Sequence, residues 1–206
     1  MTEKTDFKKT LDAYRAKRGQ FRILDVPELQ YLMIDGHGDP NTSPQFAGAL
    51  GALYPVAYKL KFASRNGLGR DYVVMPLEGL WWARDMDAFT AARDKSQWDW
   101  TLMVMAPDWI DADMFGAAVE QVGRKGPPAR LDEVRLETLA EGRSVQTLHV
   151  GPFDDEAAVL RQLHHEFIPA NGLRMVGTHH EIYLTDSRRT PPEKQRTILR
   201  QPVADA

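Results

Sequence analysis

Apolar residues recur at a period of two in several short runs and at spacings of three and four in others, and the changes of period divide the chain into elements. From Glu28 to Asp35, Leu29, Tyr31 and Met33 alternate with other positions and predict a strand ending in the turn Gly36-His37-Gly38-Asp39-Pro40. Ser43 followed by Pro44 is a helix start, an N-cap residue with proline at the first helical position. Phe46, Leu50, Leu53, Ala57 and Leu60 carry that helix to about Ala63, with Pro55 predicting a kink or a late start. Tyr72 to Ala83, YVVMPLEGLWWA, and Trp98 to Ala106, WDWTLMVMA, predict two strands that can pair as a hairpin, Pro76 marking a bulge or an edge. Asp111 or Asp113 caps a helix through Phe115, Ala118 and Val122 that closes at Gly123.

After Gly126-Pro127-Pro128 the pattern starts again. Strands are predicted around Val134 to Leu139 and Ser144 to Val150, then a helix capped by Asp154 that carries Leu160, Leu163, His164 and Phe167 and stops before Pro169. Asn171-Gly172 turns the chain into the strand Met175 to Asp186, and Thr197 to Val203 is the last strand. Both halves therefore read strand, Gly/Pro turn, helix, Asn-Gly turn and two antiparallel strands, which is an internal repeat. RNGLGRDYVVMPLEGLWWARD corresponds to ANGLRMVGTHHEIYLTD. The expected fold class is α+β, a tandem duplication of a strand-helix-strand-strand unit forming two small pseudo-twofold antiparallel sheets with a ligand groove between the halves. Residues 1–27 are an N-terminal extension with one short amphipathic segment around Phe7, Leu11 and Tyr14, and residues 28–206 form the domain, with repeats at about 28–125 and 129–203.

The repeat assigns faces. Glu181 and Tyr183 share one side of their strand because side chains alternate. Matching Glu181 to Glu78 places Glu78, Leu80 and Trp82 on that same side and sends Trp81 to the core side with Ile182. A carboxylate in an otherwise apolar strand has no packing use, so its face opens to water or a ligand, or else Glu181 pairs with an Arg or Lys across the sheet.

Composition narrows the class. With 206 residues, 43% hydrophobic and 27% charged, the chain is that of an ordinary globular protein. A net charge of -3 and no dense Lys/Arg run give no footprint for nucleic acid. The chain has no cysteine, which removes thiolate catalysis and cysteine-ligated metals and fits a cytoplasmic address. The charged N-terminus lacks a leader's apolar stretch, and no window approaches the roughly 18 apolar residues of a membrane span. His164-His165 and His179-His180 do not make a metal site, since neighbours on a strand point to opposite faces. Gly36-His37-Gly38 lacks phosphate-loop spacing, so no cofactor is expected.

At LEGLWW, at HHEIYLTDSRRTPPEKQRTILRQPV and in the duplicated order of elements, the chain resembles the GyrI-like small-molecule-binding superfamily, over roughly residues 20 to 203. Within it, the free-standing subfamily with paired tryptophans is the most similar. The resemblance implies a ligand groove between two repeats. It also implies one of three activities found among members: drug-responsive transcription regulation, inhibition of gyrase, or hydrolysis of electrophilic cyclopropanoid toxins. No DNA-binding module is present, because residues 1–27 hold too little for two packed helices. Carried over, the groove glutamate is Glu181 with Tyr183 beside it, and the aromatic wall is Trp81 and Trp82.

A carboxylate among aromatics has its charged form disfavoured, the condition for general-base work near neutral pH. Glu181 would then activate water against a strained ring while Tyr183 or another donor hydrogen-bonds the oxygen that gains charge. The expected ligand is a hydrophobic aromatic small molecule bound by Trp81, Trp82, Glu78, Leu80, Met103 and Tyr72 at the groove's end. The same residues suit a binder that sequesters lipophilic, possibly cationic compounds, through charge and cation–π contact. A gyrase-inhibitor-like interaction protein is the third reading, and it leaves a protein partner open.

Overall fold

The computed structural model describes residues 4–83, 94–124 and 126–206. It is a mixed α+β fold built on one large antiparallel sheet. Elements run β1 (Lys4–Thr5), α1 (Phe7–Thr10), β2 (Arg22–Val26), β3 (Leu29–His37), α2 (Pro44–Ala63), β4 (Asp71–Tyr72), β5 (Leu77–Ala83), β6 (Trp98–Ala106) and α3 (Ala112–Gly123). The second half adds β7 (Arg135–Leu139), β8 (Gly142–Val150), α4 (Ala157–Arg161), α5 (Ile168–Ala170), β9 (Leu173–Met175), β10 (His179–Tyr183) and β11 (Arg196–Asp205). The strand order is β2-β8-β11-β10-β5-β6-β3-β7, with β9 on β11 and a separate β1–β4 pair. The halves thus share a single continuous sheet, joined at β10 and β5, rather than forming two small ones.

Local chemistry accounts for the elements. Pro44 opens α2, which runs without interruption through Pro55, and the Asp111 side chain accepts from Met114 N–H to cap α3. The second-half helix does not stop before Pro169: α4 passes into a π-helical turn (Gln162–Phe167) and then α5, ending at Ala170. The strand expected from Met175 onward is split at Val176-Gly177-Thr178, where Gly177 takes a left-handed φ of 60°. Most of the charged connector after β5, including Arg84 and Asp85, lies outside the described residues.

Arg22–Val26, inside the stretch read as an extension, is paired with β8 at one end of the sheet. Only Pro27 and Glu28 separate it from β3, near the other end, and only Ala140 and Glu141 separate β7 from β8. Two residues span little more than about 10 Å. The two ends are therefore drawn together and the sheet wraps around itself. Its inner face buries Glu78, His180 and Arg200, and its outer face carries the helices. On the outer face α2 covers Ile34 and Leu102 through Leu53, Val56 and Leu60, all fully buried. The second-half helices set Leu163 and Ile168 over Val145 and Leu199. No helix among the described residues is long and apolar enough to cross a membrane.

Register overturns the expected face assignment. Glu181 stands opposite Gly79, not Glu78, so Trp81 shares the outer face with Glu181 and Tyr183. Glu78, Leu80 and Trp82 fall on the inner face, together with Met103, which pairs with Glu78 and is fully buried. The expectation erred by one residue, and one residue is enough to exchange every side chain.

Candidate functional site

Between α2 and the second-half helices the outer face stays uncovered, leaving a cavity of about 1540 Å³. β5 and β10 form its floor with Leu77, Trp81, Glu181 and Tyr183, and Trp98 and Phe153 stand at its side. The wall from α2 follows from a second stripe on that helix. Ala49, Leu53, Val56 and Leu60 face the sheet, while Phe46, Leu50, Tyr54 and Tyr58 recur every fourth residue along the cavity. That stripe is about 18 Å long at 1.5 Å per residue.

On the floor, Trp81 Nε1–H donates to Tyr183 Oη at 3.0 Å, and Tyr183 O–H donates to Glu181 Oε2 at 2.8 Å. Burial, and then the Glu181 carboxylate, hold the Tyr183 phenol well above its ordinary range, so it stays a donor. Glu181 Oε1 lies 3.6 Å from His179 Nε2, and the Glu181 side chain remains 12% exposed, at the cavity. Its ion-pair partner among the described residues is this histidine, and its cross-strand neighbours are Leu199 and Gly79, so no described Arg or Lys pairs with it. Glu156 and His164 line the cavity from the second half. Burial first, then His179 and His165, push the His164 imidazole down to about 3.

Aromatic contacts lock the wall. Phe46 stacks on Trp81 at 6.3 Å, Trp98 meets Trp81 edge-on at 5.7 Å, and Phe153 meets Tyr183 edge-on at 5.5 Å. The indole of Trp81 folds back over Gly79, where an added Cβ would come within 2.7 Å of Nε1. Gly79 therefore provides the space in which the Trp81–Tyr183 hydrogen bond forms.

Of the residues singled out from sequence, Glu181, Tyr183 and Trp81 meet in the cavity. Glu78, Leu80, Trp82 and Met103 are on the other side of the sheet, and Tyr72 is buried edge-on to Trp109, outside the cavity lining. Glu78 belongs to a sealed ionic cluster. Tyr14 O–H donates to its Oε1 at 2.6 Å, and its Oε2 lies 3.0 Å from His180 Nε2. His180 Nδ1 is 3.0 Å from Glu141, which also binds Arg200 at 2.6 Å. Burial opposes charge on His180, but Glu141 and Glu78 outweigh it and raise the ring to about 9. Burial likewise opposes the Glu141 carboxylate, yet His180 and Arg200 bring it down to about 2.

His179, Glu156, Phe46, Trp98, Phe153 and Gly79 were not read as site residues. For His179 a signal existed, the alternation His-x-Glu-x-Tyr that puts it on the face of Glu181; the others depend on tertiary placement. Among the described residues no group of three His, Asp or Glu side chains could hold a metal ion.

A wrapped antiparallel sheet with a large aromatic cavity between two helical covers defines a small-molecule-binding protein. The chain belongs to the GyrI-like small molecule binding domain family, whose model matches residues 19–204. It is similar to an uncharacterized conserved protein from Listeria innocua at 37% identity and a TM-score of 0.89, over 98% of this chain and 100% of that one. A second structure, described as a hydrolase from Listeria innocua, is 36% identical with a TM-score of 0.84, over the same shares of each chain. The C-terminal domain of EcmrR shares the fold at 11% identity and a TM-score of 0.55, over 91% of this chain and 98% of that domain. Among curated proteins none matches.

Proposed function

We propose that this protein is a hydrolase of small hydrophobic electrophiles, with strained cyclopropanoid rings as the substrate class, like the paired-tryptophan subfamily it resembles. The observation that carries the reading is the array Trp81–Tyr183–Glu181 on the floor of an aromatic cavity. Similarity to a Listeria innocua structure described as a hydrolase supports it. Glu181 takes a proton from a water molecule whose oxygen bonds to the ring carbon. The ring C–C bond breaks, its electron pair moves to the conjugated oxygen, and solvent supplies the proton that neutralises it. Because the Tyr183 proton is already directed at Glu181, Tyr183 acts first by fixing the carboxylate. Trp81, Phe46 and Phe153 hold the flat body of the substrate and keep bulk water out. The strand order, three strands of each half meeting at β10 and β5, supports the duplicated architecture with the cavity at the junction.

The test is incubation with a cyclopropanoid electrophile and mass spectrometry of the product. Wild type should give the ring-opened hydrate, and Glu181→Gln should give it at least about a hundred-fold more slowly. A hydrate yield equal to buffer for wild type would end the proposal. The second reading is a sequestering binder, favoured by a cavity larger than the roughly 1,000 Å³ upper range of drug-sized pockets. It predicts tryptophan quenching by the compound without turnover.

A further inference from the structure

We propose that His179 is a positioning residue for Glu181, itself held by His164; this rests on the reading of Glu181 as the base. A carboxylate tied through one oxygen can still swing about its last side-chain bond. Here the two oxygens are addressed from opposite sides: Tyr183 binds Oε2 at 2.8 Å, and His179 Nε2 lies 3.6 Å from Oε1. The second contact flanks the other oxygen and limits that swing, and with it the directions in which a water molecule can be held. Period-two spacing places all three side chains on the outer face of β10.

His179 is only 3% exposed, and its ring meets that of His164 edge-on at 5.6 Å. His164 reaches it from the π-helical turn Gln162–Phe167, a rare local geometry that recurs at functional sites. That turn holds His164 buried while its neighbour His165 stays exposed at the cavity. Among the described residues, Glu181 on its own strand, Trp81 as its cross-strand neighbour and His164 from the turn face His179. Glu156 adds its charge nearby through Tyr183. Burial keeps the His164 imidazole proton-free down to about 3, so it packs on His179 as a neutral ring. Among the described residues, the imidazole that reaches Glu181 is that of His179.

NMR of the full chain labelled with ¹³C,¹⁵N-histidine reads the contact without any substrate. In Glu181→Gln the His179 ring resonances should move, because the carboxylate beside Nε2 is replaced by a neutral amide. Those of His37, paired with Asp99 elsewhere, should stay where they are. In the ring-opening assay His179→Gln and His164→Gln should lower kcat roughly ten- to a hundred-fold and leave quenching affinity within about two-fold. Identical His179 resonances in the two proteins, or a folded His179→Gln with wild-type kcat, overturn the proposal. If wild type opens no cyclopropanoid ring, the hydrolase reading fails by itself, and the resonance shift alone decides whether His179 and Glu181 are in contact.

Discussion

β10 carries two consecutive histidines that live in opposite worlds. His180 faces inward, with Glu78 and Glu141 each 3.0 Å from a ring nitrogen and Arg200 closing the charge balance. His179 faces the cavity, 3.6 Å from a carboxylate that still reaches open space. A carboxylate and an imidazole occur on both sides, yet only one side leaves capacity for a ligand. The chemistry of a residue type is thus set less by its neighbours in sequence than by whether open space remains beside its partners.

The largest effect expected from this contrast is on stability. Removing one member of the sealed cluster, as in Arg200→Ala, strands a buried charge and should cost about 3–5 kcal/mol by urea denaturation. Glu181→Ala, on the cavity face, should cost under about 1 kcal/mol in the same measurement. Comparable losses would erase the distinction between the faces. Next comes Gly79→Ala, whose Cβ would stand 2.7 Å from Trp81 Nε1 and must displace the indole. It should lower ligand affinity or turnover roughly ten-fold while costing about 1–3 kcal/mol of stability, measured by quenching and denaturation together.

The pH dependence of stability separates the histidines. The His180 ring, raised to about 9 from an ordinary 6.5, contributes fully below 6.5 and loses its contribution as pH rises through about 9. His164, lowered to about 3, acts in the other direction: its contribution is full above 6.5 and is lost as pH falls towards 3. Glu141 adds a contribution present above about 4.5 and lost as pH falls through about 2. Denaturation midpoints should therefore peak near pH 6.5, and His180→Gln should flatten the alkaline limb alone. The smallest effect concerns the paired tryptophans: Trp81→Phe should reduce the fluorescence response to a bound aromatic ligand to the part carried by Trp98, whereas Trp82→Phe, on the inner face, should leave it nearly intact.

Much of the architecture was legible in the sequence because local signals coincide with local structure. Ser43-Pro44, Asp111 and the alternating strands folded as their residue types dictate. Two kinds of information were missing. Parity in LEGLWW could not be read because β5 is covered on both faces, so Trp81 and Trp82 are equally apolar choices, and register with β10 decides between them. Partnership at a distance was equally hidden: nothing in RILDV announces pairing with β8, and nothing in Tyr14 announces a bond to Glu78. Glu181 and Tyr183 were readable because their oddity is local, a carboxylate and a phenol in an apolar strand. His179 carried the same periodic mark, but it was weighed only as half of a histidine pair.

The short links at Pro27-Glu28 and Ala140-Glu141 bear on how the protein is made. As the chain leaves the ribosome, β2 is synthesised early, but its partner β8 emerges only after the whole first half. The outer edge of β3 likewise waits for β7. Until both arrive, the nascent first half exposes unpaired strand edges that no local contact can satisfy. Closure is therefore a late event dominated by distant pairings, slow for a chain of this size and a natural point for a chaperone to act.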